Sequence, residues 1–159
     1  MAMRGVQRAT VDLDFILMLQ DLEQADHILQ GFGYQRAFKS ENVSHYIADD
    51  SSLGRIDLLH AFRGPSLSML ARAEQIEVAD GLALPVVQPE DIIGLKIQAA
   101  YNDARREAAD WLDIRLIIET AGQTGRTLDW ELIADYLEIF ELSRKRSALR
   151  DWYDEAYRG

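Results

Sequence analysis

The stretch 5–15, which runs Gly-Val-Gln-Arg-Ala-Thr-Val-Asp-Leu-Asp-Phe, constrains this chain more than any other. Residues 9–19 read as a strand, and that strand carries two aspartates two positions apart. Side chains alternate along a strand, so Asp12 and Asp14 point to one side. Val11, Leu13, Phe15 and Leu17 then point to the other, into a core. Two adjacent carboxylates repel each other unless something offsets the charge. A divalent cation is a common solution, and Mg²⁺ favours carboxylates together with phosphate oxygens. A second strand-like run, 54–62, places Asp57 between Ile56 and Leu58 in an otherwise apolar segment. Three carboxylates on two strands of one sheet can hold two metal ions. The plainer alternative is surface charge, because an isolated Asp-x-Asp is common in acidic proteins.

Gly5, Arg8 and Thr10 precede the aspartate pair at short spacing, and Asp57 follows after an intervening helix and hairpin. This order resembles the nucleotidyltransferase superfamily, with its polymerase-beta-like palm. It is most similar to the small prokaryotic nucleotidyltransferase-like proteins related to the abortive-infection toxin. Their pattern is Gly-x-x-Arg-x-Thr-x-Asp-x-Asp, then a third Asp on a later strand. Pro89, Glu90, Asp91, Lys96, Arg105, Asp110 and Asp113 fit a second, weaker part of that pattern, so the likeness spans about residues 4–120. The family's glycine turn and helix have no counterpart before Gly5. Weak binding of β- and γ-phosphates is therefore expected, since that turn offers backbone N–H groups to the triphosphate.

The resemblance implies a metal-dependent transferase. Asp12 and Asp14 would hold two Mg²⁺ or Mn²⁺ ions, and Asp57 would bind the catalytic ion and accept a proton from the attacking hydroxyl. A nucleoside monophosphate would pass from a nucleoside triphosphate to a hydroxyl on a small molecule, an RNA or a protein. A toxin–antitoxin role would add an antitoxin partner, and a homo-oligomer is a further expectation. Arg8, Thr10, Lys96 and Arg105 would contact the nucleotide. Arg8 is equally readable as an ion pair with one of the aspartates. Two other functions compete: a non-catalytic module of the same fold that binds nucleotide or a protein, and a metal-dependent phosphoesterase.

Lys96 interrupts an apolar helix face, and a buried lysine needs a partner. Asp110 and Asp113, three apart on the next helix, share a face and can supply it. Arg105 is ambiguous in the same way. His27, His45 and His60 are scattered over separate elements and suggest no common site. His60 lies three residues from Asp57, hence on the opposite face of the sheet.

Charge and composition narrow the remaining classes. With 17 basic and 27 acidic residues the net charge is −10, which disfavours bulk attraction to nucleic acid. The densest basic cluster is Arg144, Lys145, Arg146 and Arg150, read as a solvated helix face balanced by acidic neighbours. The absence of cysteine excludes disulfides, zinc thiolates and thiol nucleophiles, and suits a reducing cytoplasm. No apolar run approaches the ~20 residues of a membrane span, and no leader-like apolar core follows 1–8.

The element order expected is strand 9–19, helix 21–33, strands 34–39, 43–48 and 54–62, then helix 64–72. A hairpin across Asp80-Gly81 follows, then helices 89–101, 103–121, 129–140 and 143–157. Asp21, Asp103, Asp129 and Ser143 are the expected helix starts, and Pro89 suits a first helical position. The fold class is therefore α+β: a mixed, mostly antiparallel sheet with helices packed on it and a helical C-terminal part. The expected division is a nucleotidyltransferase-like domain over 1–121 and a helical appendage over 122–159, at the glycine-containing segment 122–127.

Overall fold

A computed structural model describes residues 12–50 and 52–159. Gly5, Arg8, Thr10 and Val11 lie outside the described residues. The protein is α+β, with a four-stranded mixed sheet, a two-stranded antiparallel ribbon and six α-helices among the described residues. It divides into two compact units, one ending at Ala73 and the other starting at Glu74.

The first unit holds β1 (Leu13–Met18), α1 (Leu22–Gly31), β2 (Tyr34–Lys39), β3 (Val43–Ala48), β4 (Ile56–Ala61) and α2 (Gly64–Ala71). The sheet order is β1-β4-β3-β2. β1 runs parallel to β4, while β4–β3 and β3–β2 are antiparallel, so the sheet is mixed. The expected strand alternation is realised. Tyr34, Tyr46, Ile56 and Leu58 turn to one face and build a core with Leu22, and Leu17, Ala25 and Leu29 pack against it. Leu13 and Phe15 share that side by register. They lie towards the β1 edge, however, and stay 52% and 44% exposed rather than entering the core as expected.

A register shift between Arg36 and Phe38 breaks the β2 ladder. One extra residue in one strand moves every later side chain to the other face. Arg36, before the shift, pairs with Tyr46 and reaches Asp26 of α1 at 3.2 Å. Phe38, after it, pairs with His45 and stacks on its imidazole with ring centroids 5.3 Å apart. On the core side His60 is buried, with Nδ1 2.9 Å from the Glu41 carbonyl and Nε2 3.0 Å from Ser44 Oγ. The carbonyl can only accept, so Nδ1 carries the proton and a neutral ring leaves Nε2 to accept from the serine hydroxyl.

The second unit holds β5 (Glu74–Ala79), β6 (Leu82–Val86), α3 (Pro89–Asn102), α4 (Glu107–Gln123), α5 (Trp130–Ile139) and α6 (Arg146–Arg158). Gly81 takes φ 73° in the β5–β6 turn, a conformation that suits glycine. Ile93, Ile97, Ile114, Ile118, Ile133 and Leu137 form much of the helical core. Two glycines permit close approach. A Cβ at Gly94 of α3 would stand 2.7 Å from the Tyr136 ring of α5, and one at Gly122 of α4 would stand 2.6 Å from the Tyr153 carbonyl of α6.

Asp129 caps α5 as expected, accepting from the Glu131 and Leu132 amides. Asp21 stands at the expected N-cap position of α1 and ends a 3₁₀ turn over Leu19–Asp21, but its side chain makes no capping hydrogen bond. Two other helix starts differ. Asp103 forms a turn with Arg105, and α4 begins at Glu107. Ser143 opens a second 3₁₀ turn, and α6 begins at Arg146. No helix among the described residues is long and apolar enough to cross a membrane.

Candidate functional site

The parallel pairing of β1 with β4 sets Asp14 opposite Asp57. The antiparallel pairing of β3 with β4 sets His45 opposite Asp57 from the other side. Paired residues share a sheet face, so Asp14, Asp57, His45 and Phe38 form one row across four strands. Asp12 lies two residues before Asp14 and so belongs to the same side. The row faces away from the α1 core, which is why its charges are compatible with the fold.

Within this row Asp57 is the buried member, 8% exposed, and Asp14 is exposed. Asp57 Oδ1 lies 2.7 Å from His45 Nδ1 and 3.1 Å from Arg55 Nε. Arg55 also places Nη2 3.2 Å from Asp12 Oδ2, so one guanidinium bridges two of the three carboxylates. A carboxylate accepts, so His45 carries its proton on Nδ1, and in the neutral ring Nε2 keeps its lone pair. Phe38, stacked on the ring, fixes its plane. The pairing of an aspartate with one imidazole nitrogen orients the other as a base, the logic common to Asp–His dyads.

The oxygen donors suit a hard cation such as Mg²⁺ or Mn²⁺. Among the described residues, no three acidic or histidine side chains converge closely enough to ligate one as they stand. Asp12 and Asp57 converge instead on Arg55, whose guanidinium offsets their charge.

The other expected site residues among the described ones belong to the helical unit. Lys96 belongs to the helical unit, where its Nζ lies 3.0 Å from Asp110 Oδ1 and 2.7 Å from Asp113 Oδ2. That is the ion pair expected from the spacing. Glu90 Oε1 accepts the Asp129 amide at 2.7 Å, and Asp91 Oδ1 accepts the Tyr136 hydroxyl at 2.8 Å. The Pro-Glu-Asp…Lys segment thus ties α3 to α4 and α5. Arg105 is well exposed and grips Asp103 with two 2.9 Å bonds. Those side-chain bonds, with the Arg105 amide, hold the Asp103 carboxyl below its ordinary range.

The basic cluster at 144–150 borders an open groove with Trp130, and acidic neighbours balance part of it. Arg146 meets Glu131 at 2.7 Å, Arg150 meets Asp154 at 3.7 Å, and Arg150 also covers the Trp130 ring.

His45 and Arg55 are the residues that the sequence reading missed. Arg55 stands two positions before Asp57, so strand parity alone places it on the aspartate side. His45 needs the register between β3 and β4, which no single strand reveals. The three histidines lie on separate elements, α1, β3 and β4, and His45 bonds Asp57.

Comparison with models of known protein families gives no match, and comparison with curated proteins gives none either. What the fold and this face define is a class: an α+β protein that presents an acidic row, backed by a histidine and an arginine, on one side of a mixed sheet.

Proposed function

We propose that the sheet face carrying Asp12, Asp14 and Asp57 is the metal- and nucleotide-handling site of a nucleotidyltransferase-like enzyme. The supporting observation is the register: Asp14 lies opposite Asp57 on parallel neighbours, and Asp12 and Asp57 reach the same guanidinium. Mg²⁺ or Mn²⁺ held by these three carboxylates would supply charge neutralisation for phosphoryl oxygens. The chain's own residues account for the rest. Asp57 is buried and fixed by His45, so its carboxylate is held in place. His45 Nε2, or Asp57 itself, is available to take the proton of an attacking hydroxyl. That hydroxyl belongs to a small molecule, an RNA or a protein, and the other substrate is a nucleoside triphosphate, whose α-phosphate bonds to the hydroxyl oxygen as pyrophosphate leaves. A cytoplasmic setting, where nucleotides abound, suits a cysteine-free chain.

The test is transfer of label from α-labelled nucleoside triphosphates to candidate acceptors in Mg²⁺, for the wild type and for Asp57→Ala. Transfer that survives Asp57→Ala undiminished would remove this reading. A second reading, a non-catalytic module of the same class, is favoured by one observation: Asp57 Oδ1 already accepts from two protein donors. Nucleotide binding without transfer, in the presence of every acceptor tried, would favour that reading.

A further inference from the structure

We infer that Arg55 is a phosphate-positioning residue that exchanges the carboxylates of Asp12 and Asp57 for the polyphosphate of the substrate. The inference rests on the metal reading above and assigns a role to a residue outside the aspartate triad. Its first support is the bridge. Nε is 3.1 Å from Asp57 and Nη2 is 3.2 Å from Asp12, so the guanidinium is shared between the two carboxylates. An arginine cannot lose its proton to make room for a second cation. A divalent ion seated between those carboxylates would be repelled by it at close range. Binding the ion therefore requires the guanidinium to leave.

The second support is that the side chain can leave while its backbone stays. The Arg55 carbonyl accepts the Leu13 amide at 2.8 Å, at the start of the β1–β4 ladder. The side chain beyond it is 47% exposed, and rotamer exchange in exposed side chains is fast. His45 donates to Asp57 through Nδ1 and can remain, so the carboxylate keeps one fixed partner. A planar, permanently charged fork released beside a metal-bound triphosphate has the chemistry to grip phosphate bidentately. The same cation that screens the carboxylates before binding would then hold the substrate after it.

Arg55→Gln is the test, with Arg55→Lys beside it as the variant that keeps the charge. Two titrations are read on each protein: Mn²⁺ alone, followed by electron paramagnetic resonance of the free ion, and inorganic tripolyphosphate on the Mn²⁺-loaded chain, followed by calorimetry. Tripolyphosphate is the part common to all nucleoside triphosphates. Arg55→Gln is expected to bind Mn²⁺ about tenfold more tightly and tripolyphosphate about tenfold more weakly. Arg55→Lys should stay within about threefold of the wild type in Mn²⁺ affinity. A purely structural clamp would not move the two affinities in opposite directions. Unchanged or weaker Mn²⁺ binding by Arg55→Gln, with normal binding by the wild type, would overturn this proposal and leave the metal reading intact. The proposal would equally fall if tripolyphosphate bound Arg55→Gln as well as it bound the wild type. No Mn²⁺ binding by any of the three proteins would overturn the metal reading itself.

Discussion

Lys96 Nζ lies 2.7 Å from Asp113 Oδ2 and 3.0 Å from Asp110 Oδ1, one ammonium held by two buried carboxylates of the next helix. The lysine is itself only 22% exposed. Removing it takes the shared ammonium from two buried carboxylates, and Arg106, 3.5 Å from Asp110, is largely exposed. Lys96→Ala is expected to lower stability by roughly 3–5 kcal/mol. Urea denaturation measures this, and a loss below about 1 kcal/mol would mean that the pair is not structural. Lys96→Arg, which keeps the charge but not the geometry, should fall between the two.

The contact between α3 and α5 has no room for a methyl group. A Cβ on Gly94 would approach three atoms of the Tyr136 ring at 2.7–2.8 Å. The ring cannot simply swing aside, because its hydroxyl donates to the buried Asp91 at 2.8 Å. Gly94→Ala should therefore destabilise by about 1–3 kcal/mol, although alanine is the better helix former. The pair Gly94→Ala with Tyr136→Leu should recover part of that loss. If the single change raised the urea midpoint, α3 and α5 would not pack this closely.

Tyr46 supplies a pH-dependent term. Burial first, and then the hydrogen bond it donates to Asp26 at 3.0 Å, push its hydroxyl above the ordinary 10.0. The unfolded chain ionises first, so this term is fully present below about pH 10. It is lost as pH rises through the higher value of the folded state. Tyr46→Phe lacks the term and the hydrogen bond, and should be less stable than the wild type by about 1–2 kcal/mol at pH 8. That gap should shrink as denaturation is repeated at pH above 10. A gap that widens instead would reverse the sign of the argument.

Much of this fold was legible because strand parity and helix periodicity are local. The alternation of Val43 to Ala48 gave β3, and the Asp80-Gly81 turn gave the β5–β6 hairpin. Asp129 was readable as a cap because its carboxylate bonds amides two and three residues ahead. Asp103 looked the same in sequence, yet Arg105 captures its carboxylate and delays α4 to Glu107. The register shift after Arg36 has no marker residue such as glycine, so Phe38 was assigned no face. Asp12, Asp14 and Asp57 could be placed on two strands of one sheet from sequence. Their engagement by Arg55 and His45 depends on which strands pair, which a single sequence does not state. Lys96 was readable because helix spacing fixes both its face and that of its partners.

The acidic row should separate into a structural carboxylate and an exposed one. Asp57 is buried and accepts from His45 and Arg55, whereas Asp14 is exposed on the edge strand β1 of the described sheet. Asp57→Asn removes the negative charge from two charge-assisted contacts and should lower stability by about 1–3 kcal/mol in the absence of metal. Asp14→Asn changes an exposed side chain and should cost less than Asp57→Asn, as surface changes generally do. If the row binds divalent cations, Mg²⁺ or Mn²⁺ should raise the wild-type melting temperature by mass action. The Asp12→Asn, Asp14→Asn double variant should lose that rise while melting normally without metal. The combination distinguishes ligand loss from damage to the fold: a variant that melts like the wild type without metal but gains nothing from it has lost a binding site. A double variant that still gains the full metal-induced rise would place the cation elsewhere. Asp57 would then be a buried anchor for β3 and β4, held by His45 and Arg55.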